Sequence, residues 1–184
     1  MARNPKKLAE LALKIGGSAL VGGLAYKAWR DWQANKAPEP TGEIQAEAPP
    51  PGTPFLPSSD AEQEDLSQSL LRAMIAAAKA DGHVSIEEQN RISEQLATLG
   101  LGAEHRAFVE EELAKPLDIE AIVSSVKSPE QAAEIYAASL LIIDPEGHAE
   151  RGYLAMLAAR LKLEPGLINH LHANAGAQVE AMAA

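Results

Sequence analysis

The chain is 184 residues long, contains no cysteine and carries a formal net charge of −10. That length holds one ordinary domain plus an appendage, and the missing cysteine removes disulfides, thiolate metal sites and cysteine nucleophiles together. The charge is uneven: residues 1–36 hold seven basic side chains against Glu10 and Asp31, so the remainder is strongly acidic and disfavours nucleic acid as a partner of the main domain.

The first predicted element is a helix over residues 8–32. Between Lys14 and Lys27 it contains an uncharged run, IGGSALVGGLAY, of 12 residues, shorter than the roughly 20 needed for a full span. Tyr26, Trp29 and Trp32 are the amphipathic aromatics favoured at a membrane interface, and Lys14 and Lys27 can snorkel. Ser18 with Gly22, and Ala19 with Gly23, form small-xxx-small pairs that permit close helix approach in lipid and a homo-oligomer through that face. Residues 1–36 therefore read as a basic, glycine-rich, membrane-associating helix; a weak soluble helix and a signal segment are the alternatives. Lys27, Arg30 and Asp31 immediately after the apolar run speak against the signal segment. Basic residues flank the run on both sides, which leaves the side of the membrane undetermined.

Residues 37–59 contain seven prolines and few large apolar groups, the composition of a disordered, extended spacer. Residues 60–184 then read as an acidic all-helical domain. Its first helix opens on a capping box of Ser59 and Glu62 and carries Leu66, Leu70, Leu71, Met74, Ile75 and Ala78 on one face, ending at Asp81-Gly82. A second starts near Ser85 and stops at Gly100 and Gly102. Further helices are expected over about 103–115 and 117–126. Ser128-Pro129 supplies an N-cap with proline at the first helical position for the next, about 129–143, whose apolar end marks it as central. The last two cover about 148–162 and the residues from about 165. The expected fold class is thus all-α, a bundle of about seven helices beyond the N-terminal one.

Two junctions share a grammar. Asp81-Gly82-His83 followed by Glu87 and Glu88 parallels Asp144-Pro145-Glu146-Gly147-His148 followed by Glu150. In each, an apolar helix ends at an aspartate, a turn holds a Gly-His pair, and a glutamate opens the next helix. Brought together, Asp81, Glu88, Asp144 and Glu150 would offer four oxygen donors suited to a hard divalent cation such as Ca²⁺, Mg²⁺ or Mn²⁺. Helix capping accounts for each residue separately: Ser85 with Glu88 fits a capping box, and Asp144 ahead of Pro145 is a good N-cap. His83 and His148 fit solvated loop positions, and His170 and His172 are two apart and do not share a helix face. There is neither an E-x-x-H di-iron pair nor the EF-hand loop pattern, and G-x-S-x-G, G-x-G-x-x-G and Walker motifs are absent.

The stretches AAKADGHVSIEE and LIIDPEGHAERGYLAMLA, with the upstream GGLAYKAW, closely resemble bacterial YebE-like proteins, a family of unknown function within the TerB-like (tellurite-resistance B) group. The resemblance runs from about Lys14 through the last helix. It implies a TerB-like helical bundle, inner-membrane placement and the convergence of Asp81, Glu88, Asp144 and Glu150 as a metal site. The short stretch before Lys6 departs from longer relatives. The functional expectation is a non-enzymatic, membrane-tethered module that binds a divalent cation and a protein partner. A metal-free interaction scaffold is the alternative, and a metal-assisted hydrolase a more remote one.

Overall fold

In the computed structural model of the chain, the described residues are 19–80, 82, 84–87, 89–90, 94, 103–143 and 147–176. They form seven bounded helices: α1 (Ala19–Gln33), α2 (Asp60–Ala78), α3 (Ala103–Ala114), α4 (Ile119–Ser124), α5 (Pro129–Ile142), α6 (His148–Arg160) and α7 (Pro165–Asn174). Ile86, Glu87, Gln89 and Asn90 are also helical, in the stretch expected to open near Ser85. Isolated bridges pair Ile44 with Ala175 and Thr53 with Leu56, and the described residues contain no strand.

Local chemistry sets the helix starts. Ser59 accepts from the Glu62 amide at 3.2 Å and Ser128 from the Gln131 amide at 3.1 Å, with Pro129 in the first turn of α5. Asp118 caps α4 in the same way, through the Ala121 amide at 3.1 Å. Each bond satisfies an amide that the helix itself leaves without a partner.

Helix α5 is the centre. Every residue from Gln131 to Leu141 is buried, because α2, α1, α7 and α6 all pack against it. Leu66, Leu70, Ala73, Met74 and Ala77 of α2 form the opposing wall, and α3 and α4 lie against α2.

Residues 1–18 of the expected N-terminal segment lie outside the described residues, but residues 19–59 pack against the body instead of standing apart from it. Val21, Leu24, Ala25 and Ala28 of α1 are fully buried, and α1 packs along α5 and α7. The proline-rich segment is ordered over this seat: Phe55 is buried, the Glu47 amide donates to the Gly23 carbonyl at 3.0 Å, and the Gln45 amide to the Asn174 carbonyl at 2.7 Å. Phe55 meets Tyr26 and Trp29 edge to face, with centroids 5.7 and 6.2 Å away. The physical reason lies in the glycines. A Cβ on Gly22 would sit 2.9 Å from the Phe55 carbonyl oxygen, and one on Gly23 would sit 3.1 Å from that of Glu47. The close approach that suggested helix pairing in lipid is used within the chain, by the backbone of the segment lying across α1. Gly22→Ala is expected to cost about 1–3 kcal/mol through overpacking, outweighing a helix-propensity gain of about 1 kcal/mol; a fall in melting temperature checks it.

At the end of α1, Asp31 is surrounded by Lys27 at 2.7 Å, Arg30 at 3.0 Å and Lys36 at 3.4 Å. Burial pushes its carboxyl up, but the hydrogen bonds from Lys27 and Arg30 outweigh that and hold it well below the usual range. Arg30 also pairs with Glu47, tying α1 to the overlying segment.

Candidate functional site

Of the four predicted metal ligands, Asp81, Glu88 and Asp144 lie outside the described residues. Glu150 is partly exposed in the first turn of α6, and its carboxylate fills the space that a side chain on Gly147 would occupy. Gly147 is the N-cap of α6, and the glycine there leaves room for that carboxylate beside the helix start. His148 is exposed and its Nδ1 lies 2.6 Å from the Arg151 guanidinium. His83 is outside the described residues. Among the described residues, no group of three or more His, Asp or Glu side chains is placed to hold a metal ion.

The described helices nevertheless fix which ends of the bundle meet. Lys127, just before α5, reaches Asp65 near the start of α2 at 3.3 Å, and Glu62, Asp65, Lys127 and Gln131 line one surface cleft. The two helices pack along each other, so they run parallel. At 1.5 Å per residue, α2 from Asp65 to Ala78 and α5 from Pro129 to Ile142 each extend about 20 Å. Their C-terminal ends, from which the two aspartate junctions follow, therefore lie at the same end of the pair.

A second unusual place is the seat of α1. Glu134 of α5 is fully buried, and neither carboxyl oxygen has a hydrogen-bond partner. It faces Gly22, whose Cβ position would be 3.3 Å from Oε1. Burial, with the charge of Glu130 one turn away, pushes its pKa up to about 9, so the carboxyl is protonated at neutral pH. On the other side of α5, the Tyr136 hydroxyl and His172 Nε2 are 2.8 Å apart and buried. Burial raises the tyrosine and lowers the histidine to about 4. His170 bonds instead to the Lys36 carbonyl at 2.9 Å, so the two histidines serve separate structural contacts.

A cavity of about 440 Å³ lies where α2, α3 and α4 meet, lined by Arg72, Ile75, Lys79, Glu112, Lys115 and Leu117 among others. Lys79 is buried and donates to the carbonyls of Glu112 and Lys115, the latter at 2.6 Å, closing the C-terminal end of α3. Burial lowers its pKa. Glu112 in turn meets Arg72 at 3.3 Å and Lys115 at 2.9 Å. Every ionic group on this wall has a protein partner, which gives the cluster a structural reading.

Glu134 and Lys79 were both missed in the sequence. For Glu134 a signal was present: a helix apolar on all sides leaves no face for a charge, and Glu134 sits between Ala133 and Ile135 in such a helix. For Lys79 none was, since its partners lie 33 and 36 positions away.

These features define a small all-helical bundle whose N-terminal helix is seated in its core and whose two acidic junctions follow from one end of a parallel helix pair. Residues 2–175 match the family described as "Protein of unknown function (DUF533)", and the chain belongs to that family. It is 31% identical over 96 residues to an "Uncharacterized protein in ampR 5'region" of Yersinia enterocolitica, an alignment covering 52% of this chain and 69% of the relative. No solved structure matches significantly.

Proposed function

We propose that the protein is a non-enzymatic TerB-like module of the YebE kind, tethered to the bacterial inner membrane, which binds a divalent cation at the junction end of the α2–α5 pair and presents that end to a protein partner. The observation that carries this reading is the parallel packing of α2 and α5, because an antiparallel pair would send the two aspartate junctions to opposite ends. Asp81, Glu88, Asp144 and Glu150 are the proposed oxygen donors, and Ca²⁺, Mg²⁺ and Mn²⁺ the ions suited to them.

The proposed tether falls to the residues before α1. The face of residues 19–33 is occupied by α5, α7 and the segment carrying Phe55, and no helix among the described residues is long and apolar enough to cross a membrane. Ahead of it stand Arg3, Lys6, Lys7 and Lys14, interleaved with Leu8, Leu11, Leu13 and Ile15, a composition suited to an anionic lipid surface.

The cation claim is tested by thermal melts with Ca²⁺, Mg²⁺ or Mn²⁺ against chelator. A ligand at 100 times its Kd stabilises by about 2.7 kcal/mol, and a rise in melting temperature of a few degrees is expected. The paired substitution Asp81→Ala with Asp144→Ala is expected to abolish that rise. An equal rise in the variant, or none in the parent, leaves the metal-free scaffold as the reading.

A further inference from the structure

The described residues hold four fully or nearly buried carboxyl or ammonium side chains: Asp31, Lys79, Glu112 and Glu134. Three of them have partners. Asp31 has three cations, Lys79 two carbonyls, and Glu112 an arginine and a lysine. Glu134 has neither a cation nor a hydrogen bond. A buried polar group left in that state calls for an explanation beyond packing.

Its position supplies one. The carboxyl lies against the backbone of α1 at Gly22, where the Phe55 carbonyl also closes in. The two glycines bring no side chain to the contact. Around them the seat of α1 on α5 and α7 is made by Val21, Leu24, Ala25 and Ala28, with Leu20, Tyr26, Trp29 and Trp32 partly buried against the core. Because the backbone of α1 is what meets the carboxyl, lifting α1 is the local opening that brings water to Glu134.

We propose that Glu134 is a proton-sensitive latch for α1: the helix stays seated while the carboxyl keeps its proton, and loss of the proton releases α1 together with the segment around Phe55. The surrounding charges are arranged to permit this. On α5, Glu130 opposes ionisation of Glu134. On α1, Lys27 and Arg30 are engaged by Asp31, and on the overlying segment Glu47 is engaged by Arg30. On α7, His170 is bonded to the Lys36 carbonyl and His172 to Tyr136. On α2, Asp65 meets Lys127 and Arg72 meets Glu112. On α6, the buried Tyr153 hydroxyl is pushed up to about 12 and stays neutral. Among the described residues, then, the lysine and arginines on α1 and α2 are already paired with carboxylates and α5 and α7 carry neither residue type, so opening the seat to water is the route by which Glu134 ionises.

Hydrogen exchange of the full chain between pH 5 and pH 8.5, normalised for intrinsic exchange, tests the latch. Linkage to one proton gives an opening constant that rises about tenfold per pH unit while the open state is ionised and the seated state is not. That slope is expected in peptides from residues 19–33 and absent there in Glu134→Gln. Peptides of α5 are expected to keep higher protection throughout. The same slope in Glu134→Gln overturns the proposal, and so does a single shared opening of α1 and α5. A second readout needs no variant, because both tryptophans of the chain, Trp29 and Trp32, lie in α1. Raising the pH to 9.5 is expected to shift their emission to the red before the far-ultraviolet ellipticity of the remaining helices is lost. Coincident loss of both signals overturns the latch.

Discussion

Leu24→Ala is expected to lower the stability of the protein at pH 6 by about 2–5 kcal/mol, the range for emptying a fully buried leucine site. Leu24 is 0% exposed in the seat between α1, α5 and α7. Gln33, at the exposed end of the same helix, provides the contrast: Gln33→Ala is expected to stay within about 0.5 kcal/mol of the parent. Denaturant unfolding followed by tryptophan fluorescence is the direct measurement, because Trp29 and Trp32 report on α1 whether it leaves first or with the bundle. A helix standing apart from the body on a disordered spacer would give no difference between the two variants. The experiment therefore decides whether residues 19–33 belong to the fold or merely precede it.

Most of the helices were legible because their signals are local. Ser59, Ser128 and Pro129 announce helix starts through bonds three residues long, and the leucines and alanines of α2 and α5 repeat at the helical period. The seat of α1 was not legible for a physical reason. Glycine, alanine and uncharged aromatics suit a close helix contact in lipid and a close contact inside a protein equally well. What decides between them is Phe55, in the proline-rich stretch, whose carbonyl and ring both meet α1. One buried aromatic among prolines is a faint signal. The acidic grammar of the two junctions was likewise visible in residue order, but that the helices leading into them end on the same side depends on the parallel packing of α2 and α5. That is fixed by contacts such as Lys127 with Asp65, 62 positions apart, and no period or motif in either helix encodes it. Glu134 is the converse case: its burial follows from the apolar surroundings of α5, yet its isolation from every cation needs the assembled neighbours.

Glu134→Gln is expected to stabilise the protein by about 3 kcal/mol at pH 7 and to change the shape of its pH profile. The pKa of this carboxyl is raised from 4.5 to about 9 in the fold. Below pH 4.5 both states hold the proton and nothing is lost. As the pH rises from there, the unfolded chain ionises while the fold does not, and stability falls by about 1.4 kcal/mol per unit until the folded value is reached. His172 acts in the opposite sense. Burial lowers it from 6.5 to about 4, so its contribution is complete above pH 6.5 and is lost as the pH falls towards 4. Between pH 4.5 and pH 6.5 the two slopes offset each other, and these groups together give the wild-type chain a plateau there, with decline on both sides. Glutamine keeps the shape and the buried polarity of a protonated carboxyl but removes the ionisation, so the decline above pH 6.5 should vanish and the variant should gain stability from pH 4.5 to pH 6.5 and then level off. Denaturant unfolding at pH 5, 6.5 and 8 reads this directly. An offset between variant and parent that is the same at all three pH values would mean that the carboxyl ionises in the folded chain as readily as in the unfolded one, and that the seat of α1 is open to water.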